Sequence, residues 1–167
     1  MSSLDSIYQE LIMDHARHPQ GKGLTEPFDG ESFQVNPTCG DQVRLRVVLD
    51  APPDADRPSS RLSQVAWDGK GCAISQASAS IMTELVAGLP VDRVEQLDAL
   101  FSELMRSRGA PVSAAVEDAL GDALAFAGVS RYPMRVKCAI LGWMALKDAL
   151  SKALAGDASP ARVPEGI

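Results

Sequence analysis

Residues 36–43 read NPTCGDQV, which sets a thiol and a carboxylate two positions apart, with a glycine between them, at the mouth of a strand pattern. A Cys39 thiolate and an Asp41 carboxylate have the charge and the donor atoms to hold one cation together. The same residue types also suit a tight turn, which glycine and aspartate favour. The other two of the three cysteines bear on the choice. Cys72 stands in DGKGCAIS, at a glycine-rich turn that opens a helical pattern, and Cys138 stands in RYPMRVKCAIL, near the start of another. Helix N-termini favour anions, so both thiols are expected to have lowered pKa values. Arg135 and Lys137, beside Cys138, act in the same direction.

Spacing alone leaves two readings open. A free cysteine is usually a small buried apolar residue. There is no C-x-x-C pair, and the separations between the three match no zinc-finger pattern. Glycines next to Cys39 and Cys72 favour a shared centre, because they let the backbone come close. Other polar and aromatic residues take structural readings. His15 is expected to pack at the edge of the first helix, His18 before a proline to lie on the surface, and the arginines of the first long strand to form its solvent face. Trp67 and Trp143 are expected in the core.

The elements that must position these residues follow from hydrophobic period. Leu4, Ile7, Tyr8, Leu11, Ile12 and His15 recur at helical spacing over 3–17, with Ser2 and Asp5 able to cap the start and Pro19 after the end. Val43, Leu45, Val47 and Leu49 alternate with mostly polar neighbours, which predicts a half-buried strand. RLSQVAWDG predicts a second strand and residues 32–35 a possible third. Helices are predicted from Ile74 to Gly88, over 91–107, more weakly over 113–126, and from near Arg135 to about Leu154. One helix, then strands, then helices is an α+β plan: a small antiparallel three-stranded sheet with helices packed on one side.

A chain of 167 residues, 46% of them apolar, suits one folded domain, here residues 1–155 with a loose tail over 156–167. A net charge of −6 argues against a general nucleic-acid binder and against an anionic membrane surface. No apolar run reaches the length of a membrane span, and the N-terminal residues have an acid where a signal peptide has basic ones. The expected location is the cytoplasm, with an odd cysteine count in keeping.

Four ordered stretches, IYQELIMDHARHPQGKG, NPTCGDQV, GKGCAISQASASIMTELVAG and RYPMRVKCAILGWMAL, together resemble the IscU/NifU-like family of iron–sulfur cluster assembly proteins, from about residue 6 to 150. Its SufU branch, the zinc-containing sulfur acceptors of the SUF system, is the most similar. Lys137 stands where IscU-type scaffolds carry a histidine, YPMRVK replaces the chaperone-read leucine-proline-proline-valine-lysine stretch, and an insertion at about 101–121 marks the SufU branch.

The resemblance implies a SufE/NifU-like fold and one metal held by Cys39, Asp41, Cys72 and Cys138, with Lys137 and Arg135 softening the excess negative charge. It implies Zn2+, with iron or a transient [2Fe–2S] cluster as the alternative. The implied partners are a PLP-dependent cysteine desulfurase of the SufS type and downstream iron–sulfur scaffold proteins. The implied role is a sulfur acceptor, sulfurtransferase-like and not an independent turnover enzyme, with Cys39 as the acceptor. A scaffold for a [2Fe–2S] cluster is the second reading and a structural zinc module the third.

Overall fold

In the computed structural model, residues 3–51 and 60–162 are described, and Ser2, the expected cap, lies outside them. The chain runs α1 (Ser3–Arg17), β1 (Gly30–Val35), β2 (Gln42–Leu49), β3 (Leu62–Lys70), α2 (Ala73–Val86), α3 (Val91–Arg106), α4 (Ala114–Leu120) and α5 (Pro133–Leu154). The three strands form one antiparallel sheet in the order β1-β2-β3. This is the α+β plan that the hydrophobic period predicts.

The period-two pattern of β2 sends Val43, Leu45 and Val47 into the core, where Leu45 lies opposite Trp67 of β3. Helix α5 packs across β1 and β2, α2 packs on α5, and α1 packs on α2. Gly30 permits the α5 contact: a Cβ there would meet the carbonyl oxygen of Ala149 at 2.1 Å. Trp67 and Trp143 are both buried, and Trp143 stacks on Phe101 of α3 at 4.7 Å between ring centres. No helix among the described residues is long and apolar enough to cross a membrane.

Three local readings differ from the structure. The weak helical stretch over 113–126 is α4 followed by a 3-10 segment at Gly121–Ala127. The α-helix stops at Gly121, whose φ of 50° and ψ of −125° cannot continue it. The last helix starts at Pro133, two residues before Arg135, because proline fits the first helical position, where no N–H is needed.

The third difference concerns the arginines of β2. Arg44 and Arg46 are not a free solvent face. They converge on Glu31 of β1, a fully buried carboxylate, at 2.7 Å and 2.5 Å, while their guanidinium groups cover Phe33 and Phe28. The backbone N–H of Ala161 donates to the same carboxylate at 2.9 Å. A side chain of this type reads as an exposed strand residue in sequence; its burial depends on partners far along the chain.

Candidate metal centre

The NPTCGDQV stretch is a closed loop between β1 and β2. The N–H of Asn36 donates to the carbonyl of Asp41, and the N–H of Gly40 donates to the carbonyl of Asn36. The Asn36 side-chain oxygen accepts from the N–H of Thr38 at 3.1 Å, an Asx turn. Gly40 has φ +76°, which a glycine adopts without strain. The loop therefore lifts Cys39 into solvent and turns Asp41 inward, where it is 5% exposed.

Cys72 occupies the position just before the first residue of α2, with extended backbone angles and an exposed side chain that makes no capping bond. Its N–H donates to one oxygen of Asp41 at 3.3 Å, and its sulfur lies 3.5 Å from the other. Gly71 makes room for this contact: a Cβ there would meet Asp41 Cγ at 2.8 Å and Ser75 Oγ at 2.5 Å. Cys138 projects from α5 and is buried, with its sulfur 3.9 Å from that of Cys39. Donor atoms of Cys39, Asp41 and Cys138 all lie within 4.8 Å of one another, and Cys72 joins them through Asp41.

These distances suit a tetrahedral ion. Metal–sulfur bonds of about 2.3 Å imply sulfur–sulfur edges of about 3.8 Å, and replacing one sulfur by oxygen shortens the edge to about 3.5 Å. The 3.9 Å and 3.5 Å contacts match two of these edges; the Cys72 sulfur lies outside the 4.8 Å group formed by the other three donors and would move inward to complete a tetrahedron. The chemistry of the set fits as well: three thiols and a carboxylate form a donor set that zinc accepts.

The expected lowering of the Cys138 pKa is overturned. Burial pushes this thiol up, and hydrogen bonding and charge from Asp41 and Cys72 push it further. The residue lies well inside α5, beyond the first turn where the helix dipole acts. Arg135 and Lys137 are exposed, and Arg135 sits over the Tyr132 ring at 5.0 Å. Among the described residues neither forms an ion pair with Asp41. Negative donors packed against one another oppose each other's ionisation, and a bound cation would reverse that balance.

His15 packs as expected, 7% exposed, with Nδ1 2.7 Å from Ser80 Oγ, and His18 is exposed. Sequence reading did not single out Ser75, whose hydroxyl donates to the Cys72 carbonyl at 3.0 Å; Gly71 takes the close-approach role expected of a glycine next to Cys72.

Residues 7–139 match the family model described as the NifU-like N-terminal domain. The chain belongs to this NifU-like family. It is 36% identical over 159 residues to the zinc-dependent sulfurtransferase SufU of Bacillus subtilis strain 168, covering 93% of this chain and 97% of that one. It is 35% identical over 154 residues to the iron–sulfur cluster assembly scaffold protein IscU of Streptococcus pyogenes serotype M1, covering 91% and 87% respectively. A solved structure described as a SUF-system scaffold protein, from Fervidobacterium islandicum AW-1, superposes with a TM-score of 0.66 at 31% identity. It covers 89% of this chain and 99% of that one. In this NifU-like chain, Cys39 and Asp41 of the β1–β2 loop meet Cys138 on the buried side of α5, and Cys72 at the start of α2 lies beside Asp41.

Proposed function

We propose that this NifU-like protein accepts sulfur from a PLP-dependent cysteine desulfurase and carries it toward iron–sulfur cluster assembly. The observation that carries this reading is an exposed Cys39 thiol at the rim of a converged thiol and carboxylate cluster. Similarity to a zinc-dependent sulfurtransferase supports it. The ligands are Cys39, Asp41, Cys72 and Cys138. Zinc, when bound, supplies positive charge that keeps these thiols ionised.

The transfer balances without an added oxidant. The Cys39 thiolate attacks the outer sulfur of the partner's persulfide. A new sulfur–sulfur bond forms on Cys39, the partner's own sulfur–sulfur bond breaks, and its cysteine leaves as a thiolate. The loop that presents Cys39 is anchored by backbone bonds at Asn36, so the thiol can be offered outward while Cys72 and Cys138 stay held by helices. Asp41 orients Cys72 through its N–H. Arg135 and Lys137, exposed around the start of α5, offer positive charge to an approaching anionic persulfide. Thiol chemistry of this kind belongs in a reducing cytoplasm, and scaffold proteins downstream would receive the sulfur.

Mass spectrometry after a single sulfur load from the desulfurase should find the added sulfur on Cys39. Reproducible loading of Cys138 instead would sink the acceptor assignment. Similarity to an IscU scaffold favours a second reading, in which the same four residues hold a [2Fe–2S] cluster as cargo. Metal analysis of the protein as isolated separates the two, zinc for the first and iron for the second.

A further inference from the structure

A second group of ligand-type side chains lies away from the cysteines. His15 of α1, Glu84 of α2 and Asp122 of the 3-10 segment offer donor atoms within 4.8 Å of one another. Glu84 is twelve residues along α2 from Cys72 (84 − 72 = 12), roughly 18 Å at 1.5 Å per residue. The two groups are therefore at opposite ends of that helix.

Two exposed carboxylates alone would mean nothing, since acids often gather on a solvated surface. The second observation is His15. Its ring is 7% exposed, yet Nε2 has no hydrogen-bond partner among the described residues; it points at Glu84 Oε2 from 3.8 Å. Behind the ring, Nδ1 is 2.7 Å from Ser80 Oγ, which also accepts the N–H of Gln20 at 2.7 Å. The hydroxyl holds the ring so that Nε2 faces the carboxylates, and when Ser80 accepts the Nδ1 proton Nε2 carries the free lone pair that a metal needs, as supporting groups behind metal-bound histidines arrange. Glu84 and Asp122 also line a cavity of about 210 Å³ with Ile81, Leu85 and Leu120. At about 30 Å³ per water, that leaves room for the remaining coordination positions to be filled by solvent.

We infer that His15, Glu84 and Asp122 form a second cation site, for a divalent first-row transition ion. One imidazole and two carboxylates suit Zn2+, Mn2+ or Fe2+; a calcium or magnesium site would be all oxygen. Bonds of about 2.0–2.1 Å need donor separations of about 3.4 Å in a tetrahedron. The 3.8 Å gap to Glu84 closes by a small rotation of an exposed side chain, while His15 stays fixed. The site does not depend on the sulfur-acceptor reading. It joins α1, α2 and the Gly121–Ala127 segment, so its ion would brace that side of the fold.

The chain has two histidines, which makes the test direct. Zn2+ is titrated into the whole protein while the ring C2–H resonances of His15 and His18 are followed by NMR. His15 should shift in a saturable way and His18 should not. In the double variant Glu84→Gln, Asp122→Asn, which changes exposed side chains only, the zinc concentration for half-saturation of the His15 shift should rise at least about tenfold. The readout is the His15 ring, so it holds whichever centre fills first. An unmoved His15 at saturating zinc would overturn the site. So would equal shifts of both histidines, or a double variant that responds like the parent.

Discussion

Asp41 accepts from the N–H of Cys72 with one oxygen and approaches its sulfur with the other, and it does both from a position 5% exposed. A carboxylate that only formed a turn would not need to reach the next motif. We therefore expect Asp41→Asn, which keeps the turn-forming oxygen and removes the charge, to weaken zinc binding at least about tenfold and to lose most sulfur acceptance. Competition with a chromophoric chelator and a persulfide-transfer assay measure the two. Unchanged values in both would reduce the centre to three cysteines. At this scale the motif CGD was legible because its residues are neighbours. The pKa of Cys138 was not, because the burial and the approach of Asp41 and Cys72 that raise it come from other parts of the chain.

The strands and helices hold these residues through contacts that each element's own pattern only half reveals. The alternation in β2 predicts which face is buried, and Val43, Leu45 and Val47 follow it. The opposite face carries the buried Glu31 held by Arg44 and Arg46. Burial alone would raise the Glu31 carboxyl; the hydrogen bonds from Arg46 and Ala161 and the charge and hydrogen bond of Arg44 outweigh that, so it sits below its ordinary value of 4.5. The stabilisation from its charge is full above the unfolded value of 4.5 and is lost as the pH falls through the folded value. Glu31→Gln should destabilise the protein by about 2–3 kcal/mol at pH 7, below the 3–5 kcal/mol of a fully buried broken pair because both arginines are partly solvated. Urea melts of parent and variant should differ most at neutral pH and converge in acid below about 4.5. A gap that stays constant down to pH 3 would exclude this charge network as its cause.

For the molecule as a whole, Cys39, Asp41 and Cys138 bring a loop and a helix together, and the Asp41 contact adds the start of a second helix at Cys72. A metal that binds only the folded chain stabilises it by mass action. At a hundredfold excess over Kd this is about 2.7 kcal/mol, so stripping the ion should lower Tm by about 5–10 °C, with zinc restoring it. An unchanged melt with metal loss verified would mean that the segments do not share an ion. The residue order alone determined what depends on near neighbours: the helical and strand periods, the α+β plan, and the turns at glycine and proline; the four candidate ligands came from the family resemblance of their motifs. Tertiary structure decided what depends on distant ones. It buried Asp41 against Cys72, brought the Cys138 sulfur to 3.9 Å from that of Cys39, gave Glu31 its arginines, and set Glu84 and Asp122 before His15. Periodicity records which face of an element avoids water; it carries no record of which other element will cover that face, and the charge, burial and ligand geometry of a side chain are properties of that pairing.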